Sequence, residues 1–289
     1  MTITATDVIS EDEVRAVLEE RTQEMYQFRR AFRPHDATGL NSGKFTFPQA
    51  SNDLRDAMAE VDENPDEIGE PGAYQRHTLE HEGIDATYTK EGFEVAISDE
   101  AADDTPVDVI LDITEEMGIA AEARLDFNAY TVLENNHDAT EIGDAADPVN
   151  FEAIVDAYVA LVDNEMNPAN FEAYASPTAW GELAKDDRFN RATDDGDALA
   201  RSGMLAEVFG ADVALTNTGN LGSNEIIMVD TGRYGYESTR WNRDVTTYRD
   251  EEHDRDVFKI RHRMDFVPMR DDAAVKIVGG VVEAEEGGT

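Results

Sequence analysis

The chain has 289 residues, enough for a sizeable buried core and for one large domain or two modest ones. Its 64 Asp and Glu stand against 24 Lys and Arg, and the resulting formal charge of -40 excludes a general basic footprint for duplex nucleic acid and docking on an anionic membrane. There is no cysteine, which excludes a disulfide frame, a thiol nucleophile and a cysteine zinc site.

The acids are spread along the whole sequence, and only five of the basic residues are Lys, at positions 44, 90, 185, 259 and 276. At moderate ionic strength such a charge repels itself and loosens a compact state. In molar salt the Debye length falls to about 3 Å and most of that repulsion is screened. The pattern reads as adaptation to a salt-saturated medium. No apolar run approaches the ~18 residues of a membrane span. The start, "MTITATDVISEDEV", lacks the charged region and apolar core of a signal peptide.

In chain order, Ser10 and Glu13 form a capping box for a predicted helix reaching Phe28, with Val14, Val17, Leu18, Thr22 and Met25 on its apolar stripe. Arg29, Arg30 and Arg33 follow as the strongest positive cluster. They read either as a helix C-terminus complementing its dipole or as a contact to an acidic neighbour. Residues 40–72 are polar, with one short predicted strand at Phe45–Pro48, and are long for a connection inside a compact domain.

Residues 73–98 read as a hairpin turning at Lys90-Glu91-Gly92, with Phe93, Val95 and Ile97 alternating against Glu94, Ala96 and Ser98. A long helix is predicted from Thr105 as N-cap and Pro106 at its first position to about residue 134. Ile110, Ile113, Met117, Ala121, Leu125, Ala129 and Val132 form its narrow, Ala-rich stripe. At 1.5 Å per residue this helix is ~45 Å long, so it is expected to lie along an extended surface and not to be wrapped by a core.

A second unit begins near residue 150. Asn150 caps a helix carrying Phe151, Ile154, Val155, Tyr158, Leu161 and Val162 on one face, and "ANFEAYAS" is a short strand. Ser176-Pro177 caps a further helix, and "EIIMVDT" at 225–231 is an apolar strand. After residue 240, "RDVTTYRDE", "DVFKIRHRMDFVPM" and "AAVKIVGGVV" read as strands, with His262 expected on a polar face. The mixture predicts an α+β fold.

One stretch has catalytic grammar. His77-Thr-Leu-Glu80-His81 matches the inverted zinc-peptidase signature H-x-x-E-H, which needs both His on one helical face. Pro71-Gly72 and Gly83 bracket it and its flanks read as strand, so a solvated strand face is the competing reading. No phosphate loop, dinucleotide fingerprint or nucleophile elbow is present. No cofactor and no catalytic residue is expected.

Three stretches carry a resemblance. "TLEHEGIDATYTKEGFEVAISDEAADDTPVDVI" resembles the junction of hairpin loop and long helix in the major capsid proteins of tailed double-stranded DNA viruses. "MLAEVFGADVALTN", with Gly203, Gly210, Val213 and Asn217 in step, resembles a segment of their axial domain, and "FKIRHRMDFVPMRDDAAVKIVG" resembles their closing strands. The likeness covers roughly residues 73–280.

This resemblance implies an HK-97-type capsid fold with an N-terminal arm at 1–39, an E-loop at 40–98, a P-domain with spine helix at 99–149, an A-domain at 150–239 and P-domain closing strands with a tail at 240–289. It implies a shell protein, not an enzyme, that self-assembles as pentamers and hexamers of an icosahedral capsid around double-stranded DNA. Scaffolding, portal and cement proteins are the further partners it implies. A separate scaffolding protein, or none, is expected, since no scaffolding domain precedes the arm. Assembly in the host cytoplasm and residence in the virion follow, with no membrane.

Arg29, Arg30, Arg33, Phe45, Phe47, Phe93 and Val95 become candidates for contacts between subunits. Lys44 and Lys90 are the lysines of the implied E-loop, but nothing in the sequence identifies a cross-linking pair. The salt signature implies a virus of haloarchaea. The alternatives are an encapsulin-like nanocompartment shell and a halophilic zinc metallohydrolase using His77, Glu80 and His81.

Overall fold

The computed structural model describes residues 27–39, 43–50, 81–104, 107–144, 147–185, 212–216 and 220–280. The expected N-terminal helix up to Tyr26, the His77–Glu80 part of the zinc-like motif, the helix start at Thr105-Pro106 and the Gly203–Gly210 segment lie outside those residues.

The described elements form two four-stranded sheets, a two-stranded ribbon and four α-helices. The strands are β1 (Phe32–Asp36), β2 (Lys44–Ala50), β3 (His81–Thr87), β4 (Thr89–Ser98), β5 (Phe171–Ala175), β6 (Asp212–Leu215), β7 (Glu225–Asp230), β8 (Gly235–Asp250), β9 (Arg255–Pro268) and β10 (Ala274–Val278). The helices are α1 (Asp99–Asp104), α2 (Val107–Asn135), α3 (Phe151–Asp163) and α4 (Pro177–Lys185).

One sheet has the order β1-β8-β9-β4 and the other β10-β7-β5-β6, while β2 and β3 pair only with each other. In β7 the run Ile226, Ile227, Met228 and Val229 is buried at every position, which requires cover on both faces. α3 packs on β10 and β7, and α4 packs on β7. The expected caps are present. The Asn150 side chain accepts from the Ala153 N–H at 3.0 Å, and Ser176 Oγ accepts from the Ala179 N–H at 3.3 Å.

The expected hairpin with a turn at Lys90-Glu91-Gly92 does not exist. β4 runs straight through those residues and pairs with β9, while β3 pairs with β2, so the chain changes partner at Tyr88. Gly92 is a glycine for another reason than turning. A Cβ there would lie 2.5 Å from the Ile260 carbonyl oxygen and 2.9 Å from Arg261 Cα, so β9 approaches too closely for any side chain. The boundary expected at 239/240 falls inside β8, and β10 leaves the closing strands to join the other sheet.

The long helix is present as α2, 29 residues and so ~44 Å. Its C-terminal half is core, contrary to the expectation that it would lie outside one. Leu125, Ala129 and Leu133 are fully buried in the large cluster with Phe28, Tyr174, Tyr234 and Ile277. Leu133, and not the half-buried Val132, continues the stripe. Its N-terminal half packs Met117 and Ala121 on a smaller cluster of Val245, Phe258 and Ile260, with Val95 and Ile97 at the margin. At the end of α2 the single Tyr234 hydroxyl proton is shared between Asn136 O at 2.9 Å and Val132 O at 3.2 Å, and the Asn135 and Asn136 side chains donate to Thr131 O and Val132 O.

Candidate functional site

The arginine cluster sits where the chain enters the fold. Residues Phe28–Ala31 form a single 3₁₀ turn lying against α2. The Phe28 N–H donates to Asp126 Oδ1 at 2.9 Å, and the Phe28 ring packs on Tyr130 and Tyr174. Arg29 is taken up inside the chain: its guanidinium pairs with Glu237 at 2.5 Å and also with Glu122, whose other oxygen lies 2.8 Å from Arg243 Nη1. Burial opposes the Arg29 charge, but its bonds to Glu237 and Glu122 outweigh that and hold the guanidinium above its usual range.

Asp126 beside it is fully buried, and its Oδ2 has no hydrogen-bond partner among the described residues. Desolvation pushes its carboxyl up to about 6, against the pull of the backbone N–H groups of Phe28 and Arg29 and of the Arg29 charge. Arg30 is exposed and 3.1 Å from Glu172. Arg33 is exposed and lies 4.4 Å over the Tyr236 ring. The three arginines therefore differ. Arg29 is an internal latch between the turn, α2 and β8, while Arg30 and Arg33 face outward.

The apolar candidates differ in the same way. Phe47 is buried and Phe45 half-buried in the β2–β3 ribbon, which rests on Tyr236 and Val267 of the first sheet and on Ala37 just after β1. The Phe47 ring stacks on Tyr236 with centroids 4.9 Å apart. Val95 lies against the Met117–Phe258 cluster. Phe93 remains 38% exposed at the open edge of the sheet.

His262, expected on a polar face, is buried against α2. Its Nε2 lies 3.5 Å from Glu91 Oε2, and neither ring nitrogen has a hydrogen-bond partner among the described residues. Desolvation lowers its pKa more than Glu91 raises it. Glu91 is held below the usual carboxylate range despite burial, by Arg124, by Asn128 Nδ2 at 3.0 Å and by His262. Two hollows of about 300 and 250 Å³ flank this pair between α2 and the sheet. The alternation of β9 placed His262 opposite Glu91 in register, a relation visible only once β4 and β9 are known to pair.

Among the described residues, no three or more His, Asp and Glu gather as metal ligands. His81 lies in β3, opposite Ala50, on a strand and not on the helix a zincin site needs. Among the same residues, no helix is long and apolar enough to cross a membrane.

A four-stranded sheet with a two-stranded ribbon resting on it, a long helix crossing two cores and a second α/β unit make up an HK-97-type fold. A family model described as phage capsid protein matches residues 84–277, and the chain belongs to that family. A solved structure from Mycobacterium phage Che8 is similar with a TM-score of 0.69 and 14% identity, over 88% of this chain and 91% of that one. The capsid of cyanophage P-SCSP1u is similar at 0.65 and 12%, over 89% and 88%. A virus-like particle from Pyrococcus furiosus is similar at 0.61 and 10%, over 92% and 98%. At these identities the structures speak for the fold, and the family match for the role as a capsid shell protein. No curated protein matches the chain.

Proposed function

We propose that the chain is the major shell subunit of a tailed double-stranded DNA virus of haloarchaea, assembled in the host cytoplasm into pentamers and hexamers of an icosahedral capsid. The family match over residues 84–277 carries the reading, and the charge of -40 with five lysines supports the saline host. In this reading the β2–β3 ribbon belongs to the projecting loop, α2 is the spine helix of a peripheral domain built on the sheet β1-β8-β9-β4, and the sheet β10-β7-β5-β6 with α3 and α4 is the axial domain.

The chemistry is mechanical. Contacts between copies come from shared apolar area and paired strand edges. Arg30, Arg33 and Phe93 are the outward-facing contact candidates, with Phe45, Phe47, Val95 and Arg29 supporting them from within. Scaffolding, portal and cement proteins are further partners, without sequence-specific DNA contacts.

Electron microscopy of the expressed chain in molar salt tests the reading. Closed particles of uniform size are expected, and a persistent monomer overturns it. The solved encapsulin complex from Synechococcus elongatus is similar at a TM-score of 0.56, so a protein-filled compartment is the competing outcome. Particles that hold double-stranded DNA when recovered from virions exclude it.

A further inference from the structure

Residues 1–26 join the fold through the 3₁₀ turn Phe28–Ala31, and a single buried carboxylate holds that turn on α2. Asp126 accepts from the Phe28 N–H at 2.9 Å and from the Arg29 N–H, so it caps the turn from 98 residues away. An ionised carboxylate with no access to water needs a full set of donors or a paired cation. Asp126 has neither among the described residues: Oδ2 has no hydrogen-bond partner, and no ion pair reaches either oxygen. Gln27 Oε1, in the residue just before the turn, is a second buried acceptor with no donor.

The charged groups around Asp126 are bonded elsewhere. From the turn, the Arg29 guanidinium bonds Glu237 and Glu122. From β8, Arg243 lies 2.8 Å from Glu122. From β5, Tyr174 donates to Glu172 at 2.8 Å, and Glu172 pairs with Arg30. From β9, His262 is near enough to act on Arg29 and Glu122 but lies against Glu91. On α2 itself, Glu122 one turn before adds a like charge, and Tyr130 one turn after packs on the Phe28 ring. The site holds more acceptors than donors, and a proton on Asp126 corrects this without moving a neighbour.

We propose that Asp126 and the Phe28–Ala31 turn form a proton-operated latch on the N-terminal segment, shut while Asp126 carries a proton and loosened when its carboxylate is ionised. Lifting the turn lets water reach the charge and withdraws the Phe28 ring from Tyr130 and Tyr174. In the closed turn the carboxyl titrates at about 6, against 3.8 when hydrated, so the closed turn binds the proton more tightly. Closure is therefore firmest in acid and weakens as pH rises through about 6. With those two values the ratio of open to closed turn rises about tenfold between pH 5 and pH 7.5. The latch belongs to a single chain and does not depend on the shell reading.

Hydrogen exchange of the full chain in molar salt tests the latch, read on peptides by mass spectrometry and corrected for the intrinsic pH dependence of exchange. The peptide holding Phe28–Ala31 is expected to lose about tenfold in protection from pH 5 to pH 7.5, while the peptide holding β7 keeps its protection. Asp126→Asn is expected to give the turn the same protection at both pH values. Protection of the turn that does not change with pH in the unaltered chain overturns the inference, whether or not the variant folds. A parallel loss in β7 also overturns it, since the whole chain would then be opening. So does an undiminished pH response in Asp126→Asn, which would assign the proton to another of the neighbouring groups.

Discussion

The sheet β10-β7-β5-β6 is apolar on both faces at its centre, whereas β1-β8-β9-β4 is apolar only where α2 and the β2–β3 ribbon lie on it. The first behaves as the inside of a domain, and successive residues of β7 are all buried. The second behaves as a platform: half-buried and exposed residues dominate β8 between Ser238 and Val245. One helix serves both, since α2 contributes Leu125, Ala129 and Leu133 to the large core and Met117 and Ala121 to the small one. The lesson is that burial within the chain is concentrated in one unit, leaving the other with surface to share.

The contrast can be broken most directly in the large core. Ile227→Ala, at a fully buried position of β7, is expected to cost about 4 kcal/mol in urea unfolding of the unassembled chain in molar salt. A cost below about 1 kcal/mol would mean that this sheet is not the stable unit. Ile260→Ala in the small cluster is expected to cost about 2.5 kcal/mol. Its amide exchange should rise in β4, β8, β9 and the first half of α2 while β7 stays protected, and uniform loss would show that the two sheets open together.

Asp126 sharpens the comparison at the joint between the units. Its folded pKa, about 6, lies above the unfolded value, so the folded chain binds the proton more tightly. Its contribution is complete below pH 3.8 and is lost as pH rises through about 6. Asp126→Asn keeps an acceptor for the Phe28 N–H without the buried charge. It is expected to add up to about 2 kcal/mol at pH 7.5 and to flatten the stability profile between pH 4 and 6. A stability drop at pH 7.5 would contradict the desolvation account. The smallest effect belongs to Arg30→Ala, which removes an exposed pair with Glu172 and should cost less than about 0.5 kcal/mol of folding stability.

Much of this was legible wherever local chemistry decides the outcome. Asn150 and Ser176 are caps, the apolar run of β7 is a buried strand, and the stripe Met117, Ala121, Leu125, Ala129 faces inward. The parts that were not legible depend on which strand neighbours which. Gly92 carries the sequence signal of a turn, but its lack of a side chain serves the approach of β9. His262 alternates with two arginines, and only its position opposite Glu91 under α2 explains why the ring is buried. Arg29, Arg30 and Arg33 look alike as letters, and a partner 93 residues away and another 208 residues away decide that Arg29 is internal. Trp241, a lone exposed aromatic, has no local signature in the sequence. Its setting comes from Arg261 and Arg263 on the adjoining strand.

The long antiparallel pair β8–β9 has a mechanical consequence. Sixteen residues at ~3.3 Å each give β8 a reach of ~50 Å, with hydrogen-bonded partners on β9 along nearly all of it. Tension applied along the strands loads those bonds side by side, so they must yield together and not one after another. A filled container stretches its wall in the plane of the wall. If the strands lie in that plane, this pair acts as a tie rod, and the two register shifts between Thr239 and Asp244 are where it would first give.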